Sequence, residues 1–307
     1  MLQRIKLLKF RSILLNLFLM LSLTACVNRV SDIIAPTKLA IAELNPQLRF
    51  EQEVMVARLT QVLDEAVLSQ TERAELHFER GVIYDSLGLW SLARNDFALA
   101  VELAPKMAAA YNYLGLYLLL EDDYDSSIDA FNAVLELDPN YDYTRLNRGL
   151  AFYYSGRYNE AERDLLAFYE ADKTDPYRVL WLYFNELEFL PSEAKNKLVE
   201  RSKGLADTFW GTSIVAYFLG NYTLEQLRLK MNAQAEPNTA QYAEILTETY
   251  FYLAKQTLKI NQVDEATSLF RLTIANQVYN FVEYRFALFE LARLRAAKTN
   301  PVIVGKY

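Results

Sequence analysis

Residues 81–105 read GVIYDSLGLWSLARNDFALAVELAP. Small and aromatic residues recur at fixed places in this stretch, and groups that could carry a reaction do not. With residue 74 as position 1 of a 34-residue register, Gly81 is at position 8 and Tyr84 at 11. Ala93 follows at 20, Phe97 at 24, Ala100 at 27 and Pro105 at 32. One shift of 34 gives Gly115, Leu118, Ser127, Phe131, Val134 and Pro139; a second gives Gly149, Phe152, Ala161, Leu165, Phe168 and Lys173. Small residues at 8 and 20 let two helices approach closely, large ones at 11 and 24 fill the space beside them, and proline at 32 stops the second helix. A lone hairpin of this kind cannot bury its apolar face, so neighbours must stack.

This pattern resembles the tetratricopeptide (TPR) repeat, a helix–turn–helix of period 34. It places three repeats at 74–107, 108–141 and 142–175. A looser fourth spans 247–280, with Ala254, Ala266 and Phe270 at positions 8, 20 and 24. A capping helix over 281–297 is expected to follow. In residues 50–68, Met55, Leu59, Val62 and Ala66 form one helical stripe, which either packs on the next helix or forms a dimer seam. Ser69 with Glu72, and Thr223 with Gln226, have capping-box spacing. VLWLYFNELEFL (179–190) is apolar on nearly every face and should be buried, with a helix opening at Pro191 and closing near Gly204. The expected fold is all-α: a TPR-like helical-hairpin superhelix (α-solenoid) with an extra N-terminal helix. The organisation read from the chain is a signal peptide at 1–25, a lipidated N-terminus and tether at 26–48, and an amphipathic helix at 49–70. Three repeats at 71–175 precede degenerate hairpins at 176–246. A fourth repeat with its cap (247–297) and a tail (298–307) complete it.

The signal peptide rests on Arg4, Lys6, Lys9 and Arg11 ahead of an 11-residue apolar run, Ile13 to Leu23, too short to span a bilayer. LTAC (23–26) resembles a bacterial lipobox, which implies cleavage before Cys26 and acylation of Cys26; Val27 in place of Asp implies the outer membrane. Removing the four basic residues of the leader leaves 32 − 4 = 28 basic against 39 acidic groups, a net charge of −11. That balance opposes nucleic-acid binding, so a lipid anchor rather than charge is expected to hold the protein on a membrane.

One His and one Cys in 307 residues leave little for Cys/His zinc sites or nucleophilic catalysis. His77 sits at a packing position of the first repeat. DDYDSSIDA (122–130) lacks the Gly and Glu of a calcium loop, having Ile128 and Val134 there, and reads as a turn. No phosphate-binding glycine motif occurs. The chain is therefore read as a non-enzyme without metal or cofactor, apart from lipid on Cys26. Positions 2, 5, 9 and 12 of TPR stacks commonly face a concave groove. Here they supply Phe78, Val82 and Asp85, then Asn112, Leu116 and Leu119, then Tyr143, Leu146, Leu150 and Tyr153; Asn147 is the one polar residue among the positions that clamp a terminal carboxylate in some relatives. These residues form the expected partner-binding groove.

ERGVIYDSLGLWSLARNDF (79–97), LNRG (146–149), DLLAFY (164–169), LWLY (180–183) and NFVEYRFALFEL (280–291) resemble the NlpI lipoproteins of Gram-negative bacteria, from about residue 50 to 295. That resemblance implies a homodimeric, periplasm-facing outer-membrane adaptor. Its implied partners are murein (peptidoglycan) endopeptidases and the tail-specific protease Prc. The alternative readings are a helical-repeat lipoprotein of β-barrel assembly and a murein hydrolase.

Overall fold

The computed structural model describes residues 40–42 and 46–299. The signal peptide, Cys26, most of the expected tether and the tail beyond Thr299 lie outside them. Fourteen helices and no strands occur among the described residues. Helix α1 (Pro46–Glu65) precedes three hairpins: α2 (Gln70–Ser86) with α3 (Trp90–Leu103), α4 (Ala108–Leu120) with α5 (Tyr124–Leu137), and α6 (Asp142–Tyr154) with α7 (Tyr158–Ala171). The middle contains α8 (Pro176–Phe189), α9 (Pro191–Ser202), α10 (Gly211–Leu219) and α11 (Leu224–Gln234). Helices α12 (Ala240–Lys259) and α13 (Val263–Ala275) form the fourth repeat, and α14 (Val282–Thr299) follows.

The 34-residue register is visible in the packing. A Cβ added to Gly81 would lie 2.8 Å from the Phe97 ring, one on Gly115 2.7 Å from Phe131, and one on Gly149 3.0 Å from Leu165. Position 8 of each first helix thus rests on position 24 of its own second helix. Position 20 is closed to solvent in all four repeats, at Ala93, Ser127, Ala161 and Ala266, and the Ser127 hydroxyl donates to the Gly115 carbonyl at 2.8 Å. Position 15 turns the chain. Gly88, Asp122, Gly156 and Asn261 all have φ between 61° and 79°, the left-handed region that glycine, asparagine and aspartate tolerate best. Asn261 sets the register of the fourth repeat independently of its degenerate position 11.

A second recurrence ties the layers together. Arg80 makes a two-pronged bond to Asp96 at 2.8 and 2.8 Å, and Arg148 makes one to Asp164 at 2.7 and 2.7 Å, positions 7 and 23 of repeats one and three. Each arginine also reaches back to the preceding helix, to Thr60 on α1 and to Asn132 on α5. Helix α1 therefore packs where the second helix of an earlier repeat would. Of its expected stripe only Leu59 turns inward, with Leu63; Met55, Val62 and Ala66 face out. His77 Nδ1 lies 2.8 Å from the same Asp96, a half-buried packing role.

One boundary differs from the sequence reading. Part of the expected tether is docked: Ala42 is buried and its N–H donates to Asn276 Oδ1 at 3.1 Å, and α1 already begins at Pro46. Helix α14 stands where the cap was expected, and it buries Glu283 to Ala287, Phe289, Glu290 and Leu294 while Arg295, Lys298 and Thr299 stay exposed. Both capping boxes form, at Ser69–Glu72 and Thr223–Gln226.

Gly115→Ala is expected to lower stability by about 1–3 kcal/mol, because the added methyl overlaps the Phe131 ring. Urea denaturation reads this as a lower midpoint, and an unchanged midpoint would contradict the register.

Candidate partner-binding surface

The first helices α2, α4 and α6 carry the expected groove residues, and the structure gives most of that groove to the chain itself. Asp85, Asn112, Leu116, Leu119, Leu146, Asn147, Leu150 and Tyr153 are buried. Phe78 and Val82 are half-buried against Ala93, Phe97 and Tyr117. Tyr143 alone stands well out, 60% exposed, with its ring 5.9 Å from Phe168. The expectation of an open groove along these positions is therefore corrected: helices pack over them. Asn112 accepts from Thr144 and Asn147 at 3.1 and 3.2 Å, which joins the second and third repeats rather than offering an amide to a partner.

Helix α14 closes the rest. Its Arg285 pairs with Asp85, 200 residues away, in a bond that buries both groups. Asp85 also accepts from the Tyr117 hydroxyl at 2.6 Å, and Arg285 Nε donates to the Tyr279 carbonyl at 3.1 Å. Burial and the neighbouring Asp85 carboxylate push the Tyr117 phenol far above its ordinary range. The Tyr279 ring seats on Gly88, where a Cβ would meet it at 2.9 Å. One turn further, Glu290 accepts from Lys255 at 2.6 Å and from Tyr154 at 3.0 Å, and Phe286 stacks on Tyr154 with centroids 5.1 Å apart. Lys255 also lies over the Tyr153 ring at 4.8 Å. Burial lowers the Lys255 ammonium below the usual lysine range although Glu290 favours its charge. Burial alone would raise the Glu290 carboxyl, but Lys255 and Arg293 hold it below the ordinary carboxylate range. Nothing in the sequence pattern pointed to these pairs, because their partners lie in different repeats.

The degenerate middle continues the enclosure. Arg178 to Glu186 on α8 are all buried, as the run of apolar residues required. Glu186 takes a two-pronged bond from Arg201 at 2.8 and 2.8 Å, and Trp181 and Phe184 lie against Phe251 and Tyr252 of α12. No group of three or more metal-ligating side chains occurs among the described residues, and Asp123 serves as the cap of α5.

A tetratricopeptide-repeat model matches residues 78–142. The lipoprotein NlpI homolog of Haemophilus influenzae is 60% identical over 286 residues, covering 93% of this chain and 91% of that protein. The chain belongs to the NlpI lipoprotein family. At 93% of the chain the match to the NlpI homolog extends well beyond residues 78–142 and takes in the degenerate middle. Solved structures are more distant. YrrB, described as a TPR protein with an unusual peptide-binding site, shares 15% identity, with 67% of this chain and 97% of that chain covered and a TM-score of 0.42. PilF of Pseudomonas aeruginosa shares 20%, with 72% and 99% covered and a TM-score of 0.42. No helix among the described residues of this NlpI-family chain is long and apolar enough to cross a membrane.

Two further features stand apart from these contacts, one exposed and one buried. On α1, Phe50, Met55 and Val62 are 61%, 43% and 40% exposed, Met55 and Val62 on one face and Phe50 on another. Between α8, α12 and α14 lie two carboxylates without a basic partner among their hydrogen bonds. Glu248 accepts from Tyr177 at 2.5 Å and Glu283 from Tyr252 at 2.8 Å. Burial first, then the neighbouring Glu283, raises Glu248 well above the ordinary carboxylate range, and burial also raises Glu283. A carboxyl raised on folding favours the fold below its unfolded value, and that contribution is lost as pH rises through the folded value. Glu290, lowered on folding, works in the opposite direction and in a separate window, below about 4.5. Stability is therefore expected to rise as pH falls from 7 toward 5. Glu248→Gln should be more stable than the parent at pH 7 and flatten that slope in thermal melts. A Gln variant that melts lower at pH 7, with the slope retained, would contradict the assignment.

Proposed function

We propose that this lipoprotein is a non-catalytic adaptor, anchored through acyl chains on Cys26 to the outer membrane and facing the periplasm. In this reading it holds murein endopeptidases beside a Prc-like tail-specific protease, so that the hydrolases are degraded. The observation that carries the reading is the 60% identity to an NlpI homolog along 93% of the chain. The distribution of polar groups accords with it. The buried ion pairs are spent on joining helices, and the 39 acidic side chains against 32 basic ones favour basic partners. Holding two proteins on one anchored scaffold raises their effective concentration for each other without chemistry of its own.

The exposed stripe of α1 is the proposed contact with a second copy. Met55 and Val62 recur two turns apart on one face of α1, and an isologous pairing of that face would bury both from both sides. Met55→Glu with Val62→Glu is expected to turn a dimer into a monomer in sedimentation equilibrium, with the helical circular dichroism unchanged. A variant that stays dimeric would place the contact elsewhere.

The adaptor reading is tested by recovering the tagged protein from detergent extracts. Endopeptidase and protease should co-purify, and Cys26→Ser should move the protein to the soluble fraction with its fold intact. Recovery of barrel-assembly components alone would favour that rival, and release of soluble fragments from sacculi by purified protein would overturn the non-catalytic assignment.

A further inference from the structure

Helix α14 is held in two different ways. Toward α8 and α12 it is packed and bonded: the Phe286 ring lies 5.8 Å from Trp181, and Glu290 accepts from Lys255 at 2.6 Å. Toward the first two repeats the packing is open. A cavity of about 340 Å³ lies there, with Trp90 of α3, Leu120 of α4 and Leu288, Phe289 and Ala292 of α14 among its walls. The joint beside the cavity is crossed by the Arg285–Asp85 pair, by the Tyr284 ring on Trp90 at 6.2 Å, and by the Tyr279 ring on Gly88.

Several parts of this joint lose little when it opens. The walls of a cavity already lack neighbours on one side, so parting them forfeits little dispersion. The attraction within a buried ion pair is largely offset by desolvation, and both ions regain water when they separate together. Deleting one partner is a different event, because it strands the other. Each ion also keeps a bond on its own side of the joint. Asp85 accepts from the Tyr117 hydroxyl at 2.6 Å, and Arg285 Nε donates to the Tyr279 carbonyl at 3.1 Å. Arg285 Nη1 has no partner while the joint is closed. It belongs to the guanidinium whose Nη2 bonds Asp85 across the joint, so opening gives it water and removes the cost of an unpaired buried donor.

The closed joint hides part of the repeat surface. Asp85 stands at position 12 of the first repeat, one of the groove positions, and is 1% exposed beside Arg285.

We propose that this joint is a gate: α14 parts from the first two repeats in a local opening while it stays seated on α8 and α12, and the opening uncovers Asp85. At rest α14 is an autoinhibitory strap over one end of the repeat groove. The gate stands on the composition of the joint and does not require the adaptor reading.

The test is methyl ¹³C relaxation dispersion on the full mature chain. Leu120 and Leu288 line the cavity from opposite sides of the joint. Leu165 of α7 and Leu246 of α12 are fully buried in other layers and serve as references. Leu120 and Leu288 should share one exchange process with an open form populated at about 1–10%, and the references should not show it. Two variants move the gate in opposite directions. Tyr284→Ala removes a ring contact across the joint and should raise the open population at least about threefold. Asp85→Leu with Arg285→Leu replaces the pair by apolar groups that gain nothing from water, and should lower the open population at least about threefold with the fold kept. Flat dispersion at Leu120 and Leu288, exchange at the same rate in the references, or an open population unmoved by Tyr284→Ala would each overturn the proposal. So would a folded double-leucine variant that opens as often as the parent or more.

Discussion

Asp85 and Arg285 lie 200 residues apart in sequence and share one buried bond, and the arrangement of the helices around the first repeat depends on it. An ion pair taken out of water adds little net stability over an apolar contact of the same volume, because desolvation offsets the attraction. Losing one partner, however, leaves a bare buried charge and costs about 3–5 kcal/mol. The pair therefore rejects other seatings of α14 more than it strengthens this one. Tyr117 donates to Asp85 and Arg285 donates to the Tyr279 carbonyl, and Gly88 leaves room for the Tyr279 ring beside them. The same logic recurs at Glu290, where Lys255 and Tyr154 converge from two different hairpins.

This explains why a chain built from binding repeats presents so little open groove. Positions that in an unobstructed stack would meet a partner are taken by the protein's own helices, and recognition is left to peripheral ground. Tyr143 and the outer face of α1 remain exposed.

Local geometry was legible in the sequence, and long-range geometry was not. Gly81, Gly115 and Gly149 announce close helix contacts because only a missing side chain fits against Phe97, Phe131 and Leu165. The apolar run at 179–190 announces burial because no face of it suits water. The arginine–aspartate clips at Arg80–Asp96 and Arg148–Asp164 were also written there, at a spacing of two repeats. Leu114 and Ala130 interrupt them in the second repeat, so a search at one-repeat spacing passes over them. The groove positions could not be read correctly. Their exposure is decided by Arg285 and Glu290, and no periodicity relates those residues to Asp85 or Tyr154. Likewise the exposed side of α1 depends on which edge of a one-helix stripe Arg80 and Thr60 draw inward.

An open array of hairpins behaves as a line of nearest neighbours, and its ends can fray while the middle persists. Here Ala42 is held by Asn276 and α14 is clasped to the first hairpin, so both ends are fastened to distant layers. Unzipping from either end must first break a contact that spans most of the chain. Melting then becomes cooperative across all the hairpins. Folding carries the entropic burden of closing very long loops before those contacts form, which slows it relative to an unclosed repeat array of equal length.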